Sequence, residues 1–170
     1  HKLERIAVHE QNQNYASLDG VLFNKDLTIL YRFPQNHHLT EYAIPDGVLQ
    51  IAEYAFSQSA LRKVALSSSV KDIALFEECY ELEEINVHSQ NLFFSSVQGV
   101  LFDKTTERLL QYPQARKGNQ KSQQEAYYEY TLPLGVKIIA ANAFNECRYL
   151  NKVILPSSLI IIEDYAFNNY

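Results

Sequence analysis

The chain repeats itself on two nested periods, and few folds accept that constraint. Ile44-Pro45-Asp46-Gly47-Val48, followed by Ile51, Ala55 and Phe56, is matched by Leu132-Pro133-Leu134-Gly135-Val136 with Ile139, Ala143 and Phe144. Leu155-Pro156-Ser157-Ser158-Leu159 with Ile162, Ala166 and Phe167 is a third copy. A fourth, Leu66 with Val70, Ile73 and Phe76, has Ser67 in place of Pro and lacks two residues before its Phe. One short period, about 23 residues, separates Leu132 from Leu155 and, one position shorter, Ile44 from Leu66. Above it runs a longer period, on which Leu3-Glu4-Arg5-Ile6-Ala7-Val8-His9 returns as Leu82-Glu83-Glu84-Ile85-Asn86-Val87-His88. At the same offset Gly20-Val21-Leu22-Phe23 returns as Gly99-Val100-Leu101-Phe102, and Phe33-Pro34-Gln35 as Tyr112-Pro113-Gln114. The second copy then carries nine extra residues within 115–128, a Lys/Gln/Ser/Asn-rich stretch expected to be a long exposed loop.

Periods of this length point to a solenoid. Each L-x-x-[VI]-x-[VIL] segment has the β-branched and apolar content of a short strand. Pro or Ser then ends it, because Pro cannot donate to a ladder. The I-x-x-x-A-F unit that follows is expected to be one tight turn or a short helix that plants an aromatic in the core. No unit of this size can bury its own apolar face, so neighbours must stack. In 20–33 and 99–112, Val-Leu-Phe and a Leu-rich return bracket polar Asn24-Lys25-Asp26 and Asp103-Lys104-Thr105-Thr106, which predicts an inserted β-hairpin once per long unit. The expected class is α/β: short strands alternating with tight turns or short helices, with hairpins inserted.

These residues resemble the BspA-type leucine-rich-repeat family of bacterial surface and secreted proteins. The resemblance is carried by Ile44-Pro45-Asp46-Gly47-Val48 through Ala55-Phe56, and by Leu132-Pro133 through Ala143-Phe144-Asn145-Glu146-Cys147 to Leu150 and Val153. Asp19-Gly20-Val21-Leu22-Phe23-Asn24-Lys25-Asp26 resembles a hairpin that accompanies such repeats. The resemblance implies a leucine-rich-repeat solenoid and an adhesion or host-interaction role at the cell surface or outside the cell, with a host or matrix protein as partner. Ser59 stands where the pattern has Cys, and the second repeat lacks both Pro and Ala, so its turn should be distorted. The 170 residues are expected to form one domain of composite units about 3–81 and 82–170, a fragment of a longer chain cut within repeats.

The chemistry of the side chains points away from catalysis. The formal net charge is −5 with no basic stripe, which sets nucleic acid aside. The apolar stretch 154–162 is interrupted by Pro156, Ser157 and Ser158 and falls well short of the roughly 20 residues a membrane span needs. Cys79 and Cys147 share one repeat position and have no activating neighbour, so both are expected as inert core. His37 and His38 lie in a Pro/Gln/Asn-rich loop, where adjacent side chains should point apart and leave no metal site. The pairs Glu77-Glu78, Glu83-Glu84 and Glu163-Asp164 are sequence neighbours, whereas a glycosidase needs carboxylates facing across a cleft. With no HExxH, no GxSxG and no close-spaced glycines, no enzyme activity, cofactor or metal is expected.

What remains is a surface. Alternation along each L-x-x-[VI]-x-[VIL] strand sends the intervening residues outward. This gives a candidate concave binding face of Arg5, His9, Lys63, Glu84, Asn86, His88 and Lys152. Two readings follow: a protein-interaction or adhesion module that uses this face or the hairpins, or an architectural spacer that holds another domain at a distance.

Overall fold

The structure, a computed structural model, describes residues 3–120 and 127–168. The first long copy contributes β1 (Tyr15–Leu18), β2 (Val21–Asn24), β3 (Ile29–Arg32), β4 (Glu41–Ala43), β5 (Gln50–Ile51), β6 (Lys63–Leu66) and β7 (Asp72–Ile73). The second opens on β8 (Glu84–Val87) and continues with β9 (Phe94–Val97), β10 (Val100–Asp103), β11 (Arg108–Gln111) and β12 (Asn119–Gln120). It closes with β13 (Tyr128–Thr131), β14 (Ile138–Ile139), β15 (Lys152–Ile154) and β16 (Ile161–Ile162). These coil as a leucine-rich-repeat β-solenoid of about six turns. Two five-stranded sheets, β1-β2-β3-β5-β7 and β9-β10-β11-β14-β16, and two three-stranded sheets, β4-β6-β8 and β12-β13-β15, wall the core.

The expected α/β class is corrected: no helix occurs among the described residues. The reason is local. In the I-x-x-x-A-F units Tyr54, Asn142 and Tyr165 have φ of 56°, 58° and 58°, and Gln58 and Glu146 repeat the left-handed conformation four residues on. Each interrupts a run of right-handed residues after a single turn, so tandem turns form, with Ala55 N donating to Ala52 O and Ser57 N to Tyr54 O.

The hairpins are present, and each is larger than predicted. β1 pairs antiparallel with β2, and β9 with β10, through two-residue turns at Asp19-Gly20 and Gln98-Gly99. The third strand of each meander, β3 or β11, then pairs in parallel with β5 or β14 and so joins the solenoid. The stretch 115–128 is not wholly a free loop. Ala115 is buried and donates its N–H to Leu82 O, and β12 pairs with β13, while 121–126 lie outside the described residues.

The core is a ladder of stacked rings. Phe33, Phe56 and Phe76 have centroids 5.6 and 5.4 Å apart, and Tyr112, Phe144 and Phe167 follow at 5.3 and 5.0 Å. Each buried Phe contributes about 2–3 kcal/mol through lost apolar surface, and ring contact adds about 1 kcal/mol. The Pro turns also interlock. Gly47 and Gly135, at φ 93° and 96°, supply the left-handed corner of a Pro-x-Gly turn. The serine of the next turn grips that corner: Ser69 Oγ accepts from Gly47 N (3.0 Å) and donates to Val48 O (2.8 Å). Ser158 does the same to Gly135 N and Val136 O.

Candidate functional site

In β4-β6-β8 the parallel register sets Glu41, Lys63 and Glu84 in one outward row and Ala43, Ala65 and Asn86 in the next. Val64, Leu66 and Ile85 alternate into the core, as the L-x-x-[VI]-x-[VIL] pattern requires. Lys63 Nζ lies 3.4 Å from Glu41 Oε1 and 3.9 Å from Glu84 Oε2, so the row is a plus charge between two minus charges. Beside it Arg62 grips both oxygens of Glu83 at 2.7 and 3.0 Å. Exposed pairs of this kind add little stability and leave their charges available to a partner. Asn86 Nδ2 donates to Glu84 Oε2 at 3.3 Å. A shallow groove of about 390 Å³ follows the small row, lined by Ala43, Asp46, Ala65, Ser67, Asn86 and His88.

Lys63, Glu84, Asn86 and His88 therefore share one face, and the other three candidates do not. Arg5 lies in the extended N-terminal segment, where its Cβ comes within 2.9 Å of the place a Cβ on Gly20 would occupy, so only glycine fits there. It borders a separate polar cavity of about 840 Å³ with Glu4, Asp19, Asn36, His37 and His38. His9 and His88 do the same local work, each Nδ1 accepting from the backbone N–H two residues on, of Gln11 and Gln90, at 3.2 Å. Lys152 stands on β15, across from Glu129 at 3.9 Å. The single concave strip expected from the alternation is in fact broken. Ile85 N bonds to Gly99 O, Leu82 O accepts from Ala115 N, and β12 covers the edge of β13, so β8 and β13 do not pair.

One other sequence expectation resolves differently. The rings of His37 and His38 do not point apart: they stack, with centroids 4.5 Å apart. His37 is buried, its Nδ1 accepting from Leu39 N (3.3 Å) and its Nε2 donating to Asp19 O (2.7 Å), so it staples the hairpin turn to the core. Its only sequence signal was its spacing from Phe33, against which it packs at 4.6 Å. Cys79 and Cys147 occupy equivalent core positions, and burial pushes both thiols up to about 12, far from the thiolate a nucleophile needs. Glu163 takes part in an ion pair with Arg108 at 2.6 Å and accepts from Ala141 N. These contacts hold its carboxyl below the usual range. Among the described residues no three His, Cys, Asp or Glu gather as a metal cluster, and no helix is long and apolar enough to cross a membrane.

A family model described as BspA type leucine rich repeat region matches six copies over residues 14–130 and 122–170. No curated protein matches. A leucine-rich repeat protein from Eubacterium ventriosum ATCC 27560 is 27% identical with a TM-score of 0.64, covering 75% of this chain and 32% of that one. The pneumococcal vaccine antigen PcpA is 28% identical with a TM-score of 0.56, covering 78% of this chain and 37% of its own. A leucine rich cell surface protein from Faecalibacterium prausnitzii A2-165 shares the fold at 23% identity and a TM-score of 0.50, covering 73% of this chain and 37% of that one. The chain thus spans about a third of the length of these solved structures.

Proposed function

The chain belongs to the BspA-type leucine-rich-repeat family, and on that premise we propose that it is a non-catalytic protein-interaction or adhesion module of a secreted or cell-surface bacterial protein. It acts as one domain, built of the composite units about 3–81 and 82–170, within a longer chain; its share of the solved relatives supports that reading. The observation that carries the function is the β4-β6-β8 face, where Lys63 and Glu84 stand in register and Asn86 and His88 line the groove beside Ala43 and Ala65. A flat, ordered, charged surface suits recognition of another protein, whereas the buried thiols and paired carboxylates offer no nucleophile. The vaccine-antigen relative supports surface exposure, and a host or matrix protein is the partner the reading favours.

The test is capture of matrix proteins by immobilised chain, compared with the double variant Lys63→Glu, Asn86→Arg and with Lys152→Glu on the other sheet. Retention lost in the first and kept in the second supports the face. Retention by neither variant nor parent favours an architectural spacer, and retention by all three alike removes this face from the binding.

A further inference from the structure

On the turn side of the solenoid, each strand hands two carbonyls to the next turn. Thr28 and Leu30 accept from Leu49, Gln50 and Ala52, and Leu49 and Ile51 accept from Lys71, Asp72 and Ala74. Glu107 and Leu109 likewise accept from Lys137, Ile138 and Ala140, and Lys137 and Ile139 from Ile160, Ile161 and Glu163. The rule fails once in mid-chain. Among the described residues the carbonyls of Lys71 and Ile73, on and beside β7, receive no hydrogen bond.

The cause is the short second repeat. Its two missing residues remove one of the tandem turns, and on this side the following copy attaches by a side chain, although β8 pairs with β6 on the other. Gln111 Oε1 accepts from Phe76 N at 2.9 Å and its Nε2 donates to Phe76 O at 3.1 Å. No Cα of β7 lies within 8 Å of a Cα of β9, β10 or β11, whereas paired strands sit about 4.8 Å apart. Ile73 is consequently half-buried, although its equivalents Ile51 and Ile139 are 2% and 0% exposed. Over β5 and β7, beside this edge, lies a notch of about 320 Å³ whose lining includes Glu53, Asp72 and Glu77 and no cationic side chain.

We propose that the β7 edge is a docking site for an extended segment of a partner protein, with apolar and basic residues in alternation. The segment adds a strand whose N–H groups meet the carbonyls of Lys71 and Ile73. Its apolar side chains cover Ile73 and Leu75, and its basic ones face Glu53, Asp72 and Glu77. This site is separate from the β4-β6-β8 face and does not depend on it.

The probe is a fluorescent acetyl-Val-Lys-Val-Lys-Val-Lys-amide, titrated into the whole chain and followed by anisotropy, with amide exchange of 70–76 as a second readout. The expected result is saturable binding, weakened about tenfold or more by Glu53→Lys with Asp72→Lys, both on exposed side chains, and unchanged by Lys63→Glu. N-methylating alternate residues should abolish binding for one of the two complementary sets and spare it for the other. The proposal is overturned by absence of binding, by equal binding of both N-methylated sets, which would mean charge attraction alone, or by loss of binding in Lys63→Glu.

Discussion

Corresponding positions in the two long copies hold comparable side chains that do different work. Asn12 accepts from Asn14 and Tyr15 and closes its own turn. Asn91 closes the same turn, accepting from Phe93 and Phe94, and is also fully buried with Nδ2 donating to Ser67 O and Val70 O of the preceding copy. Arg32 reaches forward to the carbonyls of Tyr54 and Ser57, whereas its counterpart Gln111 is buried and reaches back to Phe76. His37 and Arg116 both approach the hairpin glycine of their own copy, 3.6 and 3.2 Å from where a Cβ would sit. The difference teaches that on the turn side the junction between copies is made by polar side chains, while on the opposite sheet β6 and β8 stay paired across it.

Four measurements break or sharpen this comparison. Phe56→Ala and Phe144→Ala, at matching rungs of the ring ladder, should each cost about 3–5 kcal/mol in urea unfolding. Unequal costs would mean the two cores are not equivalent. Asn91→Ala should cost about 3 kcal/mol, because it strips partners from four buried or half-buried backbone groups, while Asn12→Ala should cost about 1 kcal/mol or less. Similar values at both sites would remove Asn91 from the junction. Gln111→Leu should cost about 2 kcal/mol by orphaning the N–H and C=O of Phe76, against under about 1 kcal/mol for Arg32→Ala.

The smallest effect is acid dependence. Glu163 is held low chiefly by its hydrogen bond to Arg108, and Glu78 by those from Ser57 and Gln58. A carboxyl lowered in the folded state stabilises above the ordinary carboxylate range, and that contribution fades as pH falls through it. Glu163→Gln and Glu78→Gln should therefore each narrow the gap between urea midpoints at neutral pH and at about pH 3. An unchanged gap would show that the pairs are no stronger in the folded chain.

Periodicity made the solenoid, the ring ladder and the buried cysteines legible in advance, because each rests on spacing alone. The turns were not distinguishable from short helices, since left-handed Tyr54 and Tyr165 carry no compositional mark and Asn142 alone hints at one. The extra strands β1 and β9 had a signal, Asp19-Gly20, whose pairing role was masked by the more polar turn that follows it. The split of the outward face was illegible for a different reason. It depends on where Gly99 and Ala115 land in space, and alternation within a strand says nothing of that. The same limit hid His37, which looked like a polar loop residue until Phe33 and Asp19 closed around it.

The clasp between Ser69 and Gly47, repeated by Ser158 and Gly135, makes the turns a grammar with word order. A glycine turn presents an N–H and a carbonyl that the hydroxyl on the following turn answers, so single turns are not interchangeable. Growth by copying one short repeat would put glycine after glycine and leave both groups without that hydroxyl. Copying the long composite unit keeps every such couple intact, and that is the duplication this chain preserves. Lengthening the solenoid by design should respect the same unit, inserting whole composites at the Asn91 junction.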